Sequence, residues 1–101
     1  MKTLDALGNP IRRDILELLA QEPRSVGQLA LQVAHISRPA VSRHLAVLEG
    51  AGLVRHESSG TRNIYSLRPE GFDDVRSYLV RFWDDSLPRF VLVAENLQDE
   101  Q

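Results

Sequence analysis

Apolar residues recur at steps of three and four positions in several stretches of the chain, and this spacing predicts a mainly helical fold. The first stretch is short and covers Leu4–Leu7. The second opens with Asn9 and Pro10, an N-cap followed by proline at the first helical position. The third opens with Ser25 and carries Gln28 three residues later, which is the pattern of a capping box. These signals predict three helices within the first third of the chain.

The stretch Ser37–Gly52 predicts a fourth helix with two chemically different faces. Ser37 is a suitable N-cap, Pro39 lies in the first turn, and Gly50 favours a helix end. At about 100° per residue, the apolar and polar positions fall on opposite sides. The apolar face comprises Ala40, Val41, His44, Leu45, Val47, Leu48 and Ala51, and the polar face comprises Arg38, Ser42, Arg43, Ala46 and Glu49. Because only residues 34–36 separate this helix from the third, the pair predicts a helix-turn-helix unit.

The period changes from helical to alternating after Gly52. Residues 53–57 and 63–67 each predict a strand, and Gly60 between them supplies the turn. A β-hairpin directly after such a helix is the arrangement called a wing. We therefore predict a winged helix-turn-helix fold, mainly α with a small β-hairpin, made of about five helices and a two-stranded wing.

Apolar residues recur at helical steps again from Phe72 to Leu97, which predicts one long amphipathic helix or two shorter ones. Pro88 favours a kink or a break near residues 86–87. A winged unit already has its own small core, so we expect this aromatic-rich helix to pack partly on a second copy. The residues of this helix expected at the dimer interface are Phe72, Leu79, Phe82, Trp83 and Phe90. A monomer whose last helix folds back on its own core is the alternative.

The composition of the chain is that of a globular protein without a membrane-spanning segment. The 101 residues, 43% of them hydrophobic and 26% charged, suffice for one globular domain. No apolar run approaches the ~20 residues of a membrane span, and the N-terminus lacks the apolar segment of a signal peptide. We therefore expect a cytoplasmic protein without a membrane partner.

The net charge of −2 hides an asymmetry along the chain. Residues 1–68 contain nine Lys and Arg against six Asp and Glu, a balance of +3. Residues 69–101 contain three against eight, a balance of −5. A basic N-terminal part and an acidic C-terminal part are consistent with one surface that contacts phosphates and another that faces away from them.

The polar face of the fourth helix suits the major groove of DNA. An arginine can bond bidentately to guanine, and a serine can bond to several bases or to a phosphate. In a helix-turn-helix unit the first residues of the second helix read the bases, and here the candidates are Arg38, Pro39, Ser42 and Arg43. At the wing tip the candidates are Thr61 and Arg62. The alternative interpretation is a solvated helix face and a solvated hairpin tip.

Four segments together resemble the ArsR-type winged-helix repressors, from about residue 4 to residue 68. In order, they are LGNPIRRDIL at 7–16, SRPAVSRHLAVL at 37–48, AGLV at 51–54 and GTRNIYSL at 60–67. The resemblance implies a homodimeric transcriptional repressor that binds double-stranded DNA. It supports Arg38, Pro39, Ser42, Arg43 and Arg62 as DNA-facing positions.

The same resemblance implies a single domain over residues 1–101 in which different segments bind DNA and form the dimer. Residues 9–68 would form the DNA-binding helices and the wing, and residues 1–8 and 69–98 the dimerisation helices. The resemblance thus adds Leu4 and Leu7 of the first helix to the expected dimer interface. A twofold dimer would present its two fourth helices to half-sites ~34–36 Å apart, so we expect an operator with an inverted repeat.

Many members of that family sense metals, and this chain departs from their pattern. The sensors carry Cys-x-Cys in the third helix or Asp and His pairs in the last one, whereas this chain has no cysteine. Carboxylates alone make a poor transition-metal site, so the last helix's aspartates are better interpreted as a solvated acidic face. His44 is expected to be structural, and His35 and His56 lack a partner at helical spacing. We expect no metal and no other cofactor, and the inducing signal stays open.

Three other classes of function remain as alternatives. An enzyme would need a nucleophile, base or acid in a pocket, and the sequence carries no such motif. A winged protein-interaction module that does not bind DNA would be expected to have acidic or apolar residues where Arg38, Ser42 and Arg43 stand. A DNA-binding repressor controlled by a small apolar ligand near Phe82 and Trp83 is the third, although interface packing explains those aromatics equally well.

Overall fold

The computed structural model describes residues 2–33 and 35–85, and within them the chain forms helices and one small antiparallel sheet. The helices are α1 (Lys2–Leu7), α2 (Pro10–Gln21), α3 (Val26–Gln32), α4 (Arg38–Gly50) and α5 (Asp73–Asp85). A single 3-10 turn, Pro69–Phe72, precedes α5. The predicted kink near Pro88 and the predicted interface residue Phe90 lie outside the described residues.

Side-chain caps fix where three of the helices begin. The Asn9 side chain accepts hydrogen bonds from the first-turn amides of α2, from Ile11 at 2.9 Å and Arg12 at 3.2 Å. Ser25 and Gln28 form the complete capping box at the start of α3. Ser37 accepts from the Ala40 amide at 3.3 Å and so caps α4. The three caps predicted from the sequence are confirmed, and each is worth ~1 kcal/mol by satisfying otherwise unpaired amides.

The sheet contains one more strand than the sequence predicted. Strands β2 (Val54–Ser59) and β3 (Arg62–Leu67) form the predicted hairpin, here called the wing. A short strand, β1 (Arg24–Ser25), pairs with the other edge of β3, so the strand order is β1-β3-β2. A strand of two residues is too short to show an alternation of apolar and polar positions, so β1 could not be predicted from the sequence. The pairing of β1 with β3 ties the wing to the start of α3.

The turn of the wing is tighter than the sequence suggested. Ser59 pairs with Arg62, so only Gly60 and Thr61 connect the two strands. Gly60 has a φ of +64°, which favours glycine at the first position of a two-residue hairpin turn. As a result, Thr61 and Arg62 lie at the tip of the wing and at the start of β3.

The core lies between α2, α3, α4 and the start of β2. Its fully buried side chains are Ile15, Leu29, Val41, Leu45, Leu48, Leu53 and Val54. Three of these come from the predicted apolar face of α4, but the inward placement of Val47 was wrong because its side chain is 45% exposed. Val47 lies about 120° around the helix from Val41, at the edge of what one apolar stripe can cover.

Two arginines of α2 fasten α1 to the rest of the domain. The Nε of Arg12 donates to the carbonyl oxygen of Ala6 at 2.7 Å, and Arg13 donates to that of Leu7 at 2.8 Å. These carbonyls belong to the last turn of α1, where no intrahelical partner is available. The arginines therefore satisfy the end of α1 and set its position beside α2.

Arg24 joins α2 to α3 from a buried position. Its guanidinium donates to the Leu18 carbonyl at 3.1 Å, to Gln32 at 2.8 Å and to Gln21 at 2.9 Å. A buried cation is tolerated when its donors are paired in this way.

No helix within residues 2–33 and 35–85 is long and apolar enough to cross a lipid bilayer.

Candidate nucleic-acid interface

One face of α4 is polar, exposed and free of core contacts. Arg38, Pro39, Ser42 and Arg43 all lie on the exposed side of the helix, whereas Val41 on the other side is completely buried. Ala46 is exposed one turn further along the same face. The structure thus brings the four sequence-predicted positions of α4 together on one accessible surface.

The wing arginine is held by a contact that the sequence did not reveal. Thr61 and Arg62 are exposed at the wing tip, as predicted. The Nη2 of Arg62 donates to the Oγ of Ser25 at 3.1 Å, across a sequence separation of 37 residues. The same Ser25 oxygen accepts from the Gln28 amide at 3.2 Å. Arg62 is therefore anchored at the start of α3.

A cleft of about 540 Å³ runs between the start of α3, the start of α4 and the wing. It is lined by Ser25, Val26, Gly27, Gln28, Leu31, Arg38, Thr61, Arg62 and Asn63. Three of the six predicted DNA-binding residues thus share one cleft, with Ser25 and Gly27 as additional lining residues. Only the tertiary arrangement brings these segments together, so no local sequence signal could have indicated the cleft.

The guanidinium of Arg38 lies directly against Gly27 of α3. A β-carbon built on Gly27 would come within 2.8 Å of Nη2 and 3.2 Å of Cζ of Arg38. A β-carbon at this position would therefore require the end of the flexible Arg38 side chain to shift. The side chain of Arg38 therefore rests on the backbone of α3.

A second set of contacts ties the wing to the far end of α4. The Oε2 of Glu49 lies 2.7 Å from the Nδ1 of His56 on β2. The His56 ring packs at a centroid distance of 5.1 Å from the ring of Tyr65 on β3. Burial, and secondarily the nearby Glu49 carboxylate, raises the pKa of the Tyr65 hydroxyl. Glu49, placed on the outer face by the sequence pattern, thus contributes to fixing the wing's orientation.

His44 lies where α4 packs against α2. Its Nδ1 is 3.5 Å from the Nη1 of Arg12, and its side chain is half-buried. Burial is the main cause that lowers the pKa of His44, and the positive charges of Arg12 and Arg43 lower it further. Within the part of the chain that the structure describes, no group of three or more His, Cys, Asp and Glu is placed to hold a metal ion.

The residues predicted for a dimer interface differ in exposure. Leu4, Leu7 and Phe72 are half-buried within the chain itself. In contrast, α5 exposes 54% of Leu79, 45% of Phe82 and 67% of Trp83, and Tyr78 and Val80 are similarly exposed. An apolar groove of about 630 Å³ lies along this helix and is lined by Phe72, Val75, Arg76, Leu79, Val80, Trp83 and Asp84.

Helix α4 with its exposed basic face, the preceding α3 and the adjacent wing define a winged helix-turn-helix protein of the DNA-binding class. Comparison with known proteins agrees with this class. The family model described as bacterial regulatory protein, arsR family, matches residues 9–56. The chain belongs to the ArsR family of DNA-binding transcriptional regulators. This membership confirms the sequence-based prediction of a transcriptional regulator rather than an enzyme.

Individual relatives extend the match over most of the chain. The HTH-type transcriptional regulator Rv2034 of Mycobacterium tuberculosis is 42% identical over 95 residues, covering 94% of this chain and 88% of the relative. The transcriptional repressor SdpR of Bacillus subtilis is 31% identical over 77 residues, covering 76% of this chain and 84% of the relative. The similarity therefore includes the segments on both sides of the helix-turn-helix unit.

Solved structures share the fold. The crystal structure of a possible transcriptional regulator for arsenical resistance superimposes with a TM-score of 0.78 at 36% identity, covering 91% of this chain and 95% of that one. The solution structure of the homodimeric winged helix-turn-helix DNA-binding domain Mb0332 from Mycobacterium bovis gives a TM-score of 0.67 at 30% identity, with coverages of 87% and 81%. The prediction of a winged helix-turn-helix fold is confirmed.

Proposed function

We propose that this protein is a homodimeric transcriptional repressor that binds a DNA operator with an inverted repeat. In this proposal Arg38, Pro39, Ser42 and Arg43 of α4 enter the major groove, and Thr61 and Arg62 of the wing contact the adjacent DNA. The observation that carries the proposal is the exposed face of α4, which holds all four of its candidate residues away from the core. Such a face matches the way helix-turn-helix proteins read base edges.

The dimeric state is supported by the exposed apolar side chains of α5. Within residues 2–33 and 35–85, Leu79, Phe82 and Trp83 are exposed, and exposed apolar side chains along one helix are typical of an interface. One solved relative is itself described as a homodimeric winged domain. In the proposed dimer the interface comprises Leu4, Leu7, Phe72, Leu79, Phe82, Trp83 and Phe90.

The proposed division of the single domain over residues 1–101 follows from these two surfaces. Residues 9–68 carry the DNA-binding helices and the wing, and residues 1–8 and 69–98 carry dimerisation. Because the proposed ligand is DNA, we expect the protein to act in the cytoplasm. The repressor function is supported by the similarity to SdpR, which is described as a transcriptional repressor.

The direct test is a titration against DNA from immediately upstream of the protein's own coding region, at two salt concentrations. Unrelated DNA of equal length is the control. Binding at least ~10³-fold tighter to the upstream fragment would support a sequence-specific regulator, and footprinting would then locate the two half-sites. Equal or absent binding to this fragment and to a genome-wide set of selected fragments would contradict the proposal and favour a protein-interaction module.

A further inference from the structure

The backbone conformation of Gly27 does not require glycine. It lies inside α3, and the glycines with positive φ in the described residues are Gly52 and Gly60. Glycine within a helix costs roughly 0.5–1 kcal/mol relative to alanine. What Gly27 does provide is space, because the Arg38 guanidinium occupies the volume of the missing β-carbon. The absence of a side chain at Gly27 thus permits the position that the Arg38 guanidinium occupies, and a β-carbon there would displace it.

Ser25, two residues earlier, places the second arginine. Its Oγ accepts from the Gln28 amide and from Arg62, so both lone pairs of the hydroxyl are used. Ser25 is only 5% exposed and also pairs with Ile64 in the sheet. The guanidinium of Arg62 is consequently held beside the first turn of α3, in the cleft that Arg38 also lines.

The two guanidinium groups share the cleft without a carboxylate. The ion pairs that the described residues form are Arg24–Glu22, His56–Glu49 and Arg68–Glu70, and none of them involves Arg38 or Arg62. Two positive charges that line one cleft create a positive potential there, which favours an anionic ligand. Arginine forks match the oxygens of a phosphate, and their bonds to it are charge-assisted.

We propose that Gly27 and Ser25 are positioning residues that hold Arg38 and Arg62 as a clamp on one backbone phosphate of the bound DNA. The inference rests on the proposed function and adds to it the chemical group that this cleft binds. It assigns Arg38 to the DNA backbone, whereas Ser42 and Arg43 further along α4 are left to read bases. The clamp sets the register of α4 in the groove, which is the usual role of phosphate contacts.

The decisive variant is Gly27→Ala, because it separates folding from binding. Alanine favours the helix, so the midpoint of thermal unfolding should be equal to or higher than that of the wild type. The new β-carbon displaces the Arg38 guanidinium, so DNA affinity should fall about tenfold. The slope of log K against log salt should become shallower by up to about 1.8, since about 0.9 is lost per phosphate contact and the dimer carries one such arginine in each protomer. In an Arg38→Ala background, Gly27→Ala should cause no further loss.

A parallel pair tests the other half of the clamp. Ser25→Gly keeps part of the capping function, since glycine is tolerated at an N-cap at a cost of a few tenths of a kcal/mol. It removes the hydroxyl that holds Arg62, so binding and the salt slope should again decrease. In an Arg62→Ala background, Ser25→Gly should have no additional effect. Arg81→Ala removes one positive charge away from the cleft and is the charge-matched control for the two arginine variants, used at a concentration where sedimentation shows that it is dimeric.

Measurements on the upstream fragment and on an unrelated duplex separate the two proposals, because every duplex presents phosphates. Suppose that the wild type binds DNA and that Gly27→Ala binds it equally well; the clamp is then wrong, and the regulator proposal stands. The same conclusion follows if Gly27→Ala lowers DNA affinity as much in the Arg38→Ala protein as in the wild type. If the wild type binds neither these two duplexes nor any of the selected genomic fragments, both proposals are wrong. A phosphate clamp predicts that Gly27→Ala lowers the affinity for both duplexes only when Arg38 is present. It likewise predicts that Ser25→Gly does so only when Arg62 is present.

Discussion

Gly71 packs directly against the backbone of Gly52, and the two glycines join the end of the wing to the end of α4. A β-carbon on Gly71 would overlap the carbonyl oxygen of Gly52 and would lie 3.3 Å from the Cα of Leu53. Gly52 itself has a φ of +78°, in the region that favours glycine. Because α5 begins two residues after Gly71, this contact fixes where α5 leaves the DNA-binding part of the chain.

We predict that Gly71→Ala is strongly destabilising. The added methyl group has no space, so either the chain after β3 or the end of α4 must shift, at a cost of about 3 kcal/mol or more. Chemical denaturation followed by circular dichroism measures the change. Gly50→Ala is the matched control, because a β-carbon at Gly50 meets nothing within 4 Å. Equal stability of Gly71→Ala and Gly50→Ala would contradict the close packing.

Local signals in the sequence predicted the elements of the fold but not the contacts between them. Asn9, Ser25 and Ser37 identify helix starts because a cap acts on amides only two or three residues away. The alternation of β2 and β3 is equally local. In contrast, the two-residue strand β1 forms only because β3 offers it an edge. Nothing in residues 24–25 alone distinguishes that strand from a loop.

The candidate site shows the same limit. The exposed face of α4 follows from its period, so its residues could be listed from the sequence. The positions of Arg38 and Arg62 relative to each other depend on Gly27 and Ser25, which lie in a different helix. A helical wheel also misplaced Val47, since it assigns a face without showing how far neighbouring helices cover that face.

Folding stability should decrease as the pH falls below the ordinary His pKa of about 6.5. The pKa of His44 is lowered in the folded protein by burial and by Arg12 and Arg43. The unfolded chain therefore takes up a proton at a higher pH than the folded one, so acidification favours unfolding. His44→Gln should remove this part of the pH dependence. Denaturation midpoints between pH 7.5 and pH 5.5 test it, and identical curves for both proteins would contradict the role of His44.

Arg43→Ala should reduce specific DNA binding by ~1–3 kcal/mol if Arg43 contacts a base edge. The preference at one position of each half-site should relax, while binding to unrelated DNA should change less. Selection from a randomised operator library, followed by titration of single-base variants, measures both effects. A uniform loss on every sequence would instead identify Arg43 as a phosphate contact. Arg81→Ala is again the appropriate control for loss of one charge.

Trp83→Ala should weaken the proposed dimer by about 2 kcal/mol or more, because exposed tryptophans at interfaces are frequently among the residues that contribute most to binding. Trp83 is 67% exposed in the single chain and lines the apolar groove of α5. Its removal should hardly affect folding of the monomer, so the dissociation constant of the dimer should rise ~30-fold in sedimentation equilibrium. DNA affinity should fall with it, since one protomer alone reaches only one half-site. Ser77→Ala, an exposed polar position on the same helix, is the control. A Trp83→Ala protein that stays dimeric at nanomolar concentration would place the interface elsewhere.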